Sequence, residues 1–295
     1  MAHTHEWKEF DEKSKCLPNK CTVENLGYES TMPNDLQIKY ALATILPCPS
    51  IELLYSFKDA FLQSTGLAPD EDMLALLTTS HINIEPIVLA IFGSHHFPFP
   101  KYYGACGRLA MVSFEGNNLV SYINSPFPFR VHLVRELLQT MYDLNNAHPE
   151  LIIYYPDINL ENFVYNETEK KVKVIDLEYI VVVEKHKVKM QEIDEKTESS
   201  IVEQAECGES CTEYSAATFC TTFMEDFNIK QVCRYLLGSI TKHDQKKILH
   251  DIPLSLDHKY NISQTIDLCG STTSTKKRLE TYHQLLTIFD SILII

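Results

Sequence analysis

This sequence lacks three features: a long apolar run, an excess of basic residues and the apolar core of a signal peptide. It has no run of about 18 apolar residues, so we predict no transmembrane segment. Basic residues are few: 26 Lys and Arg stand against 40 Asp and Glu, a formal net charge of −14. Because phosphate contacts need Lys and Arg, this balance argues against non-specific nucleic-acid binding. The N-terminal stretch MAHTHEWKEFDEKSK also lacks the apolar core of a signal peptide.

Cysteine, in contrast, is plentiful, with nine in 295 residues. Most lie toward the two ends of the chain, a distribution typical of disulfide bonding in an oxidising compartment. The disulfide candidates are Cys16, Cys21, Cys48, Cys207, Cys211, Cys220, Cys233 and Cys269. The count is odd, and Cys106 stands apart, so it is our candidate for the remaining free thiol. A zinc site built on Cys207 and Cys211 is the alternative, although no familiar zinc spacing is completed.

Two sequons begin at Asn166 and Asn261, and both are candidate glycosylation sites. They agree with the cysteines in favouring a secretory route, whereas the N-terminal stretch supplies no signal for it. We therefore expect one of two situations. Either the chain is cytosolic with reduced cysteines, or its true N-terminus is missing from the sequence.

Hydrophobic periodicity predicts a helix, a strand and a hairpin in the middle of the chain. Leu133, Leu137, Met141 and Leu144 recur at helical spacing, which predicts a helix over 130–146. A short apolar strand or turn follows at 151–155. Two strands, 163–165 and 172–175, flank a polar turn and predict a hairpin. The tail, 276–295, reads as a second amphipathic helix.

Polar residues at the ends of this hairpin have the spacing of a kinase-like phosphoryl-transfer site. Asp157 precedes the first arm, Asn162 follows five residues later, and Asp176 ends the second arm. Because a hairpin folds its two ends together, we expect these three side chains to converge on one cleft. Asp157 would orient or deprotonate an acceptor hydroxyl as the catalytic base. Asn162 and Asp176 would supply oxygen ligands to Mg²⁺ at nucleotide phosphates.

Glu178 lies two residues beyond Asp176. If the chain is extended there, both side chains point to the same side, and Glu178 adds a further metal oxygen. For any one of these acidic residues, a role as a turn former or helix cap is the simpler reading. Their joint order is what favours a phosphotransfer fold.

Upstream segments resemble other parts of a kinase. Asp70-Glu-Asp-Met-Leu-Ala-Leu-Leu, followed by His81-Ile-Asn-Ile, resembles the helix whose Glu pairs with the nucleotide-binding Lys. Glu71 or Asp72 would be that cofactor-binding acid; the alternative is a solvated first helical turn. Leu109–Phe114 and the following Glu115-Gly would be the strand and hinge beside the adenine.

Four groups of residues resemble the divergent protein kinase domain family, a cysteine-rich group of the secretory pathway. They are Tyr102-Tyr-Gly-Ala-Cys-Gly-Arg, the 157–163 loop, Asp176-Leu-Glu, and the C-terminal cysteine series. Within the family, the chain is most similar to the branch that contains the deleted-in-autism proteins. The resemblance implies an α+β, protein-kinase-like fold: a remnant N-lobe with a helix C-like segment and strands over 1–115, and a mostly helical, cysteine-rich C-lobe over 116–295. It also implies ATP with Mg²⁺ or Mn²⁺, residence in the endoplasmic reticulum or Golgi or outside the cell, and an unknown protein substrate or receptor.

Departures from a protein kinase are equally clear. Tyr155-Pro156 stand where His-Arg would precede the catalytic Asp, and Glu178 replaces the Gly after the metal-binding Asp. Neither a Gly-rich phosphate loop nor a Val-Ala-x-Lys strand occurs before residue 70. We therefore expect a reduced or truncated N-lobe and weak or absent activity in this form.

Three functions follow as alternatives. The first is a divergent, ATP- and metal-dependent protein kinase. The second is a non-catalytic secreted or luminal pseudokinase that acts as a ligand or scaffold. The third is a small-molecule kinase of the choline or aminoglycoside type, which Ile175-Asp-Leu-Glu-Tyr179 also resembles. The cysteine pattern argues against the third, because those enzymes are cytosolic and not framed by cysteines.

Overall fold

The computed structural model describes residues 48, 83–93, 97–106, 109–146, 148–188, 216–238 and 247–294. The chain divides into two compact units, 1–113 and 114–295. The sequence predicted a division at 115. Each unit is described by itself below.

The described part of the first unit contains one short helix and one hairpin. Helix α1 (Glu85–Phe92) begins where the Asn83 side chain accepts a hydrogen bond from the Glu85 amide at 2.7 Å, and a proline occupies its first turn. Strands β1 (Tyr102–Cys106) and β2 (Leu109–Val112) pair antiparallel. The predicted strand over 109–114 thus ends two residues early, at Val112.

A long helix, α2 (Phe127–Asn146), is the centre of the second unit. The periodic residues Leu133, Leu137, Met141 and Leu144 are all fully buried, so the helix predicted over 130–146 is present and begins three residues earlier. It contacts four later elements: strand β4 (Leu151–Tyr154), strand β6 (Lys171–Val174), the helix Phe227–Val232 and the C-terminal helix. Burial of its apolar face, rather than helix propensity, supplies most of the helix stability.

Two small antiparallel sheets lie beside α2. In the first, β5 (Phe163–Asn166) pairs with β6 and with the short β3 (Asn117–Asn118). The β5–β6 turn is closed by the Asn166 side chain, which accepts hydrogen bonds from the Thr168 and Glu169 amides. In the second sheet, β4 pairs with β7 (Val181–Glu184). The hairpin predicted over 163–165 and 172–175 is therefore present as strands β5 and β6.

Helices form the rest of the described second unit. They are α3 (Ala216–Thr221), α4 (Phe227–Val232), α5 (Leu254–Tyr260), α6 (Ile262–Ser271) and α7 (Thr275–Leu293). A π-helical turn, Cys233–Leu237, continues α4. The tail helix predicted over 276–295 corresponds to α7, whose first turn is capped by the Ser274 side chain.

The described residues thus form an α+β structure of helices and small antiparallel sheets, as the sequence predicted. None of their helices has the length and apolar character needed to cross a membrane.

Candidate functional site

The turn that carries Asp157 and Asn162 is built from local hydrogen bonds. Asn159 caps a single 3-10 turn, Leu160–Asn162: its side-chain oxygen accepts from the Glu161 amide at 3.1 Å. Its carbonyl accepts from the Asn162 amide at 3.0 Å. Leu160 is 2% exposed and fastens the turn to the core. Asn162 is thereby presented at the point where β5 begins.

The Asn162 side chain holds Asp157. Its amide nitrogen donates to the Asp157 carboxylate at 2.8 Å and to the Asp157 carbonyl at 3.1 Å. The two predicted site residues therefore touch. Because the amide nitrogen is committed to Asp157, the amide oxygen faces away from that carboxylate, and such an oxygen is a ligand suited to a hard cation.

Asp176 reaches the same place through the hairpin. Phe163 pairs with Val174, and the Ile175 amide donates to the Asn162 carbonyl at 2.8 Å. Asp176 follows directly and adopts a left-handed backbone with φ of 62°. Asp is one of the few residue types besides glycine that adopt this conformation as single residues. The hairpin thus brings the backbones at Asn162 and Ile175 together. The convergence of the Asp157, Asn162 and Asp176 side chains on one cleft stays a prediction.

A buried side-chain amide that the sequence analysis missed contacts the chain just before Asp157. Asn228 of α4 is fully buried and accepts a hydrogen bond from the Tyr155 amide at 2.8 Å. It donates to the Ile153 carbonyl and to the Asn145 side chain, both at 2.8 Å. One side chain therefore ties α2, α4 and the chain just before Asp157 together. No local sequence signal marks Asn228, because these partners lie 73 to 83 residues away in sequence.

A comparison with protein families identifies the type of domain that carries these loops. Residues 76–272 match the family model described as the protein-kinase domain of FAM69. This chain belongs to that family. The matched segment includes the loop pair and Asn228, so the site lies inside a kinase-like domain.

Curated relatives of this FAM69-type kinase domain agree. Divergent protein kinase domain 2A from Mus musculus is 30% identical over 213 residues, which are 71% of this chain and 49% of that protein. The Homo sapiens protein of the same name is 29% identical over 220 residues, 73% of this chain and 51% of that protein. Divergent protein kinase domain 2B from Homo sapiens is 34% identical over 99 residues, 33% of this chain and 23% of that protein. The chain spans about half the length of the 2A relatives.

The residues present at this kinase-like site fit a magnesium or manganese ion. Asn162 and Asp176 offer an amide oxygen and a carboxylate, and hard divalent cations prefer such donors. No three His, Cys, Asp or Glu side chains gather as a metal-binding group within the described ranges. The predicted donor set, an amide and two carboxylates, does not require such a group.

The predicted role of Glu178 assumed an extended chain after Asp176, and that assumption is wrong. Asp176 is left-handed, Leu177 is fully buried, and residues 178–179 form a turn in which the Ile180 amide donates to the Leu177 carbonyl at 3.3 Å. Because the period-two rule holds only in a strand, it does not place the Glu178 and Asp176 side chains on one side. Glu178 as a metal ligand stays a prediction.

The predicted hinge residue Glu115 is tied into the hairpin. Glu115 is 8% exposed, and its carboxylate accepts hydrogen bonds from Lys173 at 2.7 Å and from the Asn166 side-chain amide at 2.8 Å. Burial lowers the pKa of Lys173, but hydrogen bonds to Glu115 and Glu169 outweigh this, so the pKa is raised overall. These contacts give Glu115 a structural role in the second unit; contact with adenine stays a prediction.

Some of the other predicted residues lie inside the described ranges, and some lie outside them. Cys233 and Cys269 are joined in a disulfide, with their Cα atoms 5.7 Å apart. Cys48 and Cys220 each take part in a disulfide as well. Asn261 is exposed between α5 and α6, and Asn166 closes the hairpin turn. The residues outside the described ranges are Glu71, Asp72, Cys16, Cys21, Cys207 and Cys211, together with the zinc alternative.

Proposed function

We propose that this chain is a kinase-like protein of the secretory pathway that binds ATP through Mg²⁺ or Mn²⁺ at the Asp157–Asn162 and Asp176 loops, and that transfers phosphate weakly or not at all in this form. The observation that carries the proposal is the contact between Asn162 and Asp157 beside the Asp176 turn. Asn162 and Asp176 would hold the metal ion. When bound, such an ion neutralises charge on the nucleotide phosphates.

The role proposed for Asp157 follows from how its carboxylate is held. One of its oxygens accepts from Asn162, which fixes the orientation of the group. The other oxygen can then accept the proton of an acceptor hydroxyl, which is what a general base must do. Because Asn162 would contact both the Asp157 carboxylate and the metal ion, it would set the distance between the catalytic base and the cation.

Weak transfer is proposed because residues 1–70 contain neither a Gly-rich loop nor a Val-Ala-x-Lys strand, the two phosphate-binding motifs of a protein kinase. Loss of one preorganised electrostatic contact to a developing charge lowers the rate on the order of 100- to 1000-fold. Loss of several leaves binding on the metal side with little turnover.

Nucleotide binding is tested by thermal shift with millimolar ATP and Mn²⁺ or Mg²⁺. Asp176→Asn should remove the shift, because it deletes the charge and keeps a residue that tolerates a left-handed backbone. Asp251→Asn is the matched control, since Asp251 is also left-handed, with φ of 49°, and is exposed. Absence of any shift in the wild-type protein would overturn the proposed binding.

Turnover separates the three alternatives. A protein that binds ATP and releases no ADP, with or without acceptors, is a pseudokinase. Basal ADP release that Asp157→Asn abolishes supports a kinase. Stimulation of ADP release by choline or an aminoglycoside would favour the small-molecule kinase instead.

The secretory route is supported by the disulfide-bonded cysteines, because disulfides form and persist in oxidising compartments. Expression through the secretory pathway of eukaryotic cells should yield protein with few free thiols and with a glycan at the exposed Asn261. Asn261→Gln should then lower the mass by one glycan. Nine reduced cysteines in native protein would contradict this route.

A further inference from the structure

A cavity of about 400 Å³ lies in the second unit, between the π-helical turn, the segment 247–252 and helices α5 and α6. Pockets that hold small ligands have volumes of about 300–1,000 Å³. The described residues that line this cavity include none from the Asp157 or Asp176 loops. The cavity is therefore a second candidate binding site, built from other residues than the first.

Part of the cavity lining is apolar. Leu237 at the end of the π-helical turn, Leu249 and Ile266 of α6 all line the cavity, and all three are buried. An aliphatic chain that enters the cavity would leave water and contact these side chains. The apolar lining thus suits a ligand with a methylene stem.

Carboxylates give the rest of the lining a negative charge. Asp257 of α5 and Asp267 of α6 line the cavity together with one lysine, Lys247. His250 also lines it, but its ring is paired with a third carboxylate: Nδ1 lies 2.8 Å from Asp251. Among the described lining residues, carboxylates therefore outnumber cations, so the cavity favours a positively charged ligand.

Hydrogen bonds and a disulfide hold the walls of the cavity. Arg130 of α2 donates to the Ile248 carbonyl at 2.9 Å and to the His250 carbonyl at 2.8 Å. Asp257 accepts from the Ser263 amide at 2.8 Å and from its hydroxyl at 2.9 Å, which joins α5 to α6. The disulfide described above joins the π-helical turn to α6. A ligand therefore need not order these segments when it binds.

We propose that this cavity binds an arginine side chain presented by a basic segment of a partner protein. The guanidinium would donate charge-assisted hydrogen bonds to Asp257 and Asp267, and the methylene stem would lie on the apolar lining. Asp257 can accept these bonds while it holds Ser263, because a carboxylate has about four acceptor sites. The net charge of −14 also attracts basic segments from a distance.

A metal ion fits this cavity less well than a guanidinium. Within the described ranges, no three His, Cys, Asp or Glu side chains gather as a metal-binding group, so the carboxylates of the lining are too far apart for one small ion. An arginine head spreads its charge over a plane with five donors and can contact separate acceptors. The proposal does not rest on nucleotide binding, because none of the residues named for the nucleotide site takes part.

The test measures binding of a fluorescein-labelled peptide, Ala-Ala-Arg-Arg-Ala-Ala, to the full chain by fluorescence anisotropy at low ionic strength. A matched peptide carries citrulline in place of arginine, which keeps the shape and removes the charge. Its affinity should be about tenfold lower. Asp267→Asn should lower the affinity for the arginine peptide about tenfold as well. The matched control is Glu280→Gln, an exposed charge change on α7 outside the cavity lining, which should lower it less than about twofold.

Lys247 offers a change in the opposite direction. Lys247→Gln removes a cation that competes for the carboxylates of the lining, so the affinity for the arginine peptide should rise about threefold. Lys276→Gln is the control, because Lys276 is exposed on α7 and does not line the cavity. It should leave the affinity within about twofold of the wild type.

Several outcomes would overturn the proposal. Equal affinity for the arginine and citrulline peptides is one, and equal losses in Asp267→Asn and Glu280→Gln are another, because net charge alone would then explain binding. Spermidine that binds more tightly than the peptide would overturn a protein segment as the occupant. If circular dichroism shows that Asp267→Asn is unfolded, the citrulline peptide and the Lys247→Gln pair still decide. Arginine-dependent binding that weakens in Asp267→Asn alone and strengthens in Lys247→Gln supports the proposal, whether or not the protein binds ATP.

Discussion

Arg278 and Asp226 form an ion pair that is almost completely buried, with side chains 1% and 6% exposed. Arg278 also donates to the Cys269 carbonyl at 2.9 Å, and Thr275 contacts the Asp226 carboxylate at 3.2 Å. Asp226 immediately precedes α4, the helix that carries Asn228. The start of α7, the end of α6 and the start of α4 therefore meet at one polar junction behind the candidate site.

Arg278→Met should strongly destabilise the second unit. The change leaves the Asp226 carboxylate buried without its cationic partner, and breaking a buried pair in this way costs about 3–5 kcal/mol. Asp290→Asn is the control, because Asp290 is 49% exposed in its pair with Arg135 and such exposed pairs contribute about 0–1 kcal/mol. Urea unfolding measures both. Equal losses in the two variants would contradict the prediction.

Replacing both Cys233 and Cys269 by alanine should lower the free energy of unfolding by about 4 kcal/mol. The disulfide closes a loop with a sequence separation of 36, and the estimate follows from the loop-closure entropy of the unfolded chain. Both cysteines are fully buried, so we also expect this disulfide in native protein to resist thiol reductants and to react after denaturation. Mass spectrometry after reduction and alkylation, with and without denaturant, checks this. Labelling of both cysteines in native protein would show that they are accessible.

Gly116→Ala should destabilise the protein more than Gly104→Ala. Both glycines have positive φ, 113° and 142°, and either substitution therefore strains the backbone by about 1–3 kcal/mol. A Cβ atom at Gly116 would also lie 2.1 Å from the Tyr165 carbonyl oxygen, whereas no described residue has an atom within 4 Å of a Cβ at Gly104. Overpacking of that kind adds about 1–3 kcal/mol. Circular dichroism melting curves of the two variants measure the difference, and similar melting points would contradict it.

His132 should make stability fall in mild acid. Burial lowers its pKa from the ordinary value of 6.5; Glu136 raises it, and Arg135, Lys170 and Lys171 lower it. The folded pKa is therefore below the unfolded one. The stabilisation is fully present above about pH 6.5 and is lost as pH falls through the folded pKa. Only the neutral ring can accept a hydrogen bond from the Tyr165 hydroxyl, 3.1 Å away.

The measurement is the free energy of unfolding between about pH 7 and pH 5, for wild-type protein and for His132→Gln. The variant should lose less stability than the wild type over this interval, because its side chain takes up no proton. A wild-type slope in the variant would show that other groups cause the acid dependence.

Periodicity and turn chemistry were enough to predict the elements around the site. The α2 pattern depends on residues within one helix, and all four that were named are fully buried. The β5–β6 hairpin follows from two apolar runs joined by a short polar turn that Asn166 closes. Because hairpin pairing is local, it also predicted that the Asp157 and Asp176 loops meet.

The long-range contacts that hold the Asp157 and Asp176 loops could not be predicted from the sequence. The Asn228 and Arg278 contacts join segments far apart in the chain, and a buried polar residue looks like any exposed one until its partners are known. The pairing of β4 with β7 spans the site and has no local signal. The left-handed turn at Asp176 was also missed, because the apolar run before it reads as a strand that continues.

The loop pair and the side chains that support it, from Tyr155 to Asn228, all belong to the unit 114–295. All the contacts described above for this site are made within that compact unit, so its geometry can be inherited as a block. In a lineage of such proteins, this loop pair would record common descent long after catalysis had been lost.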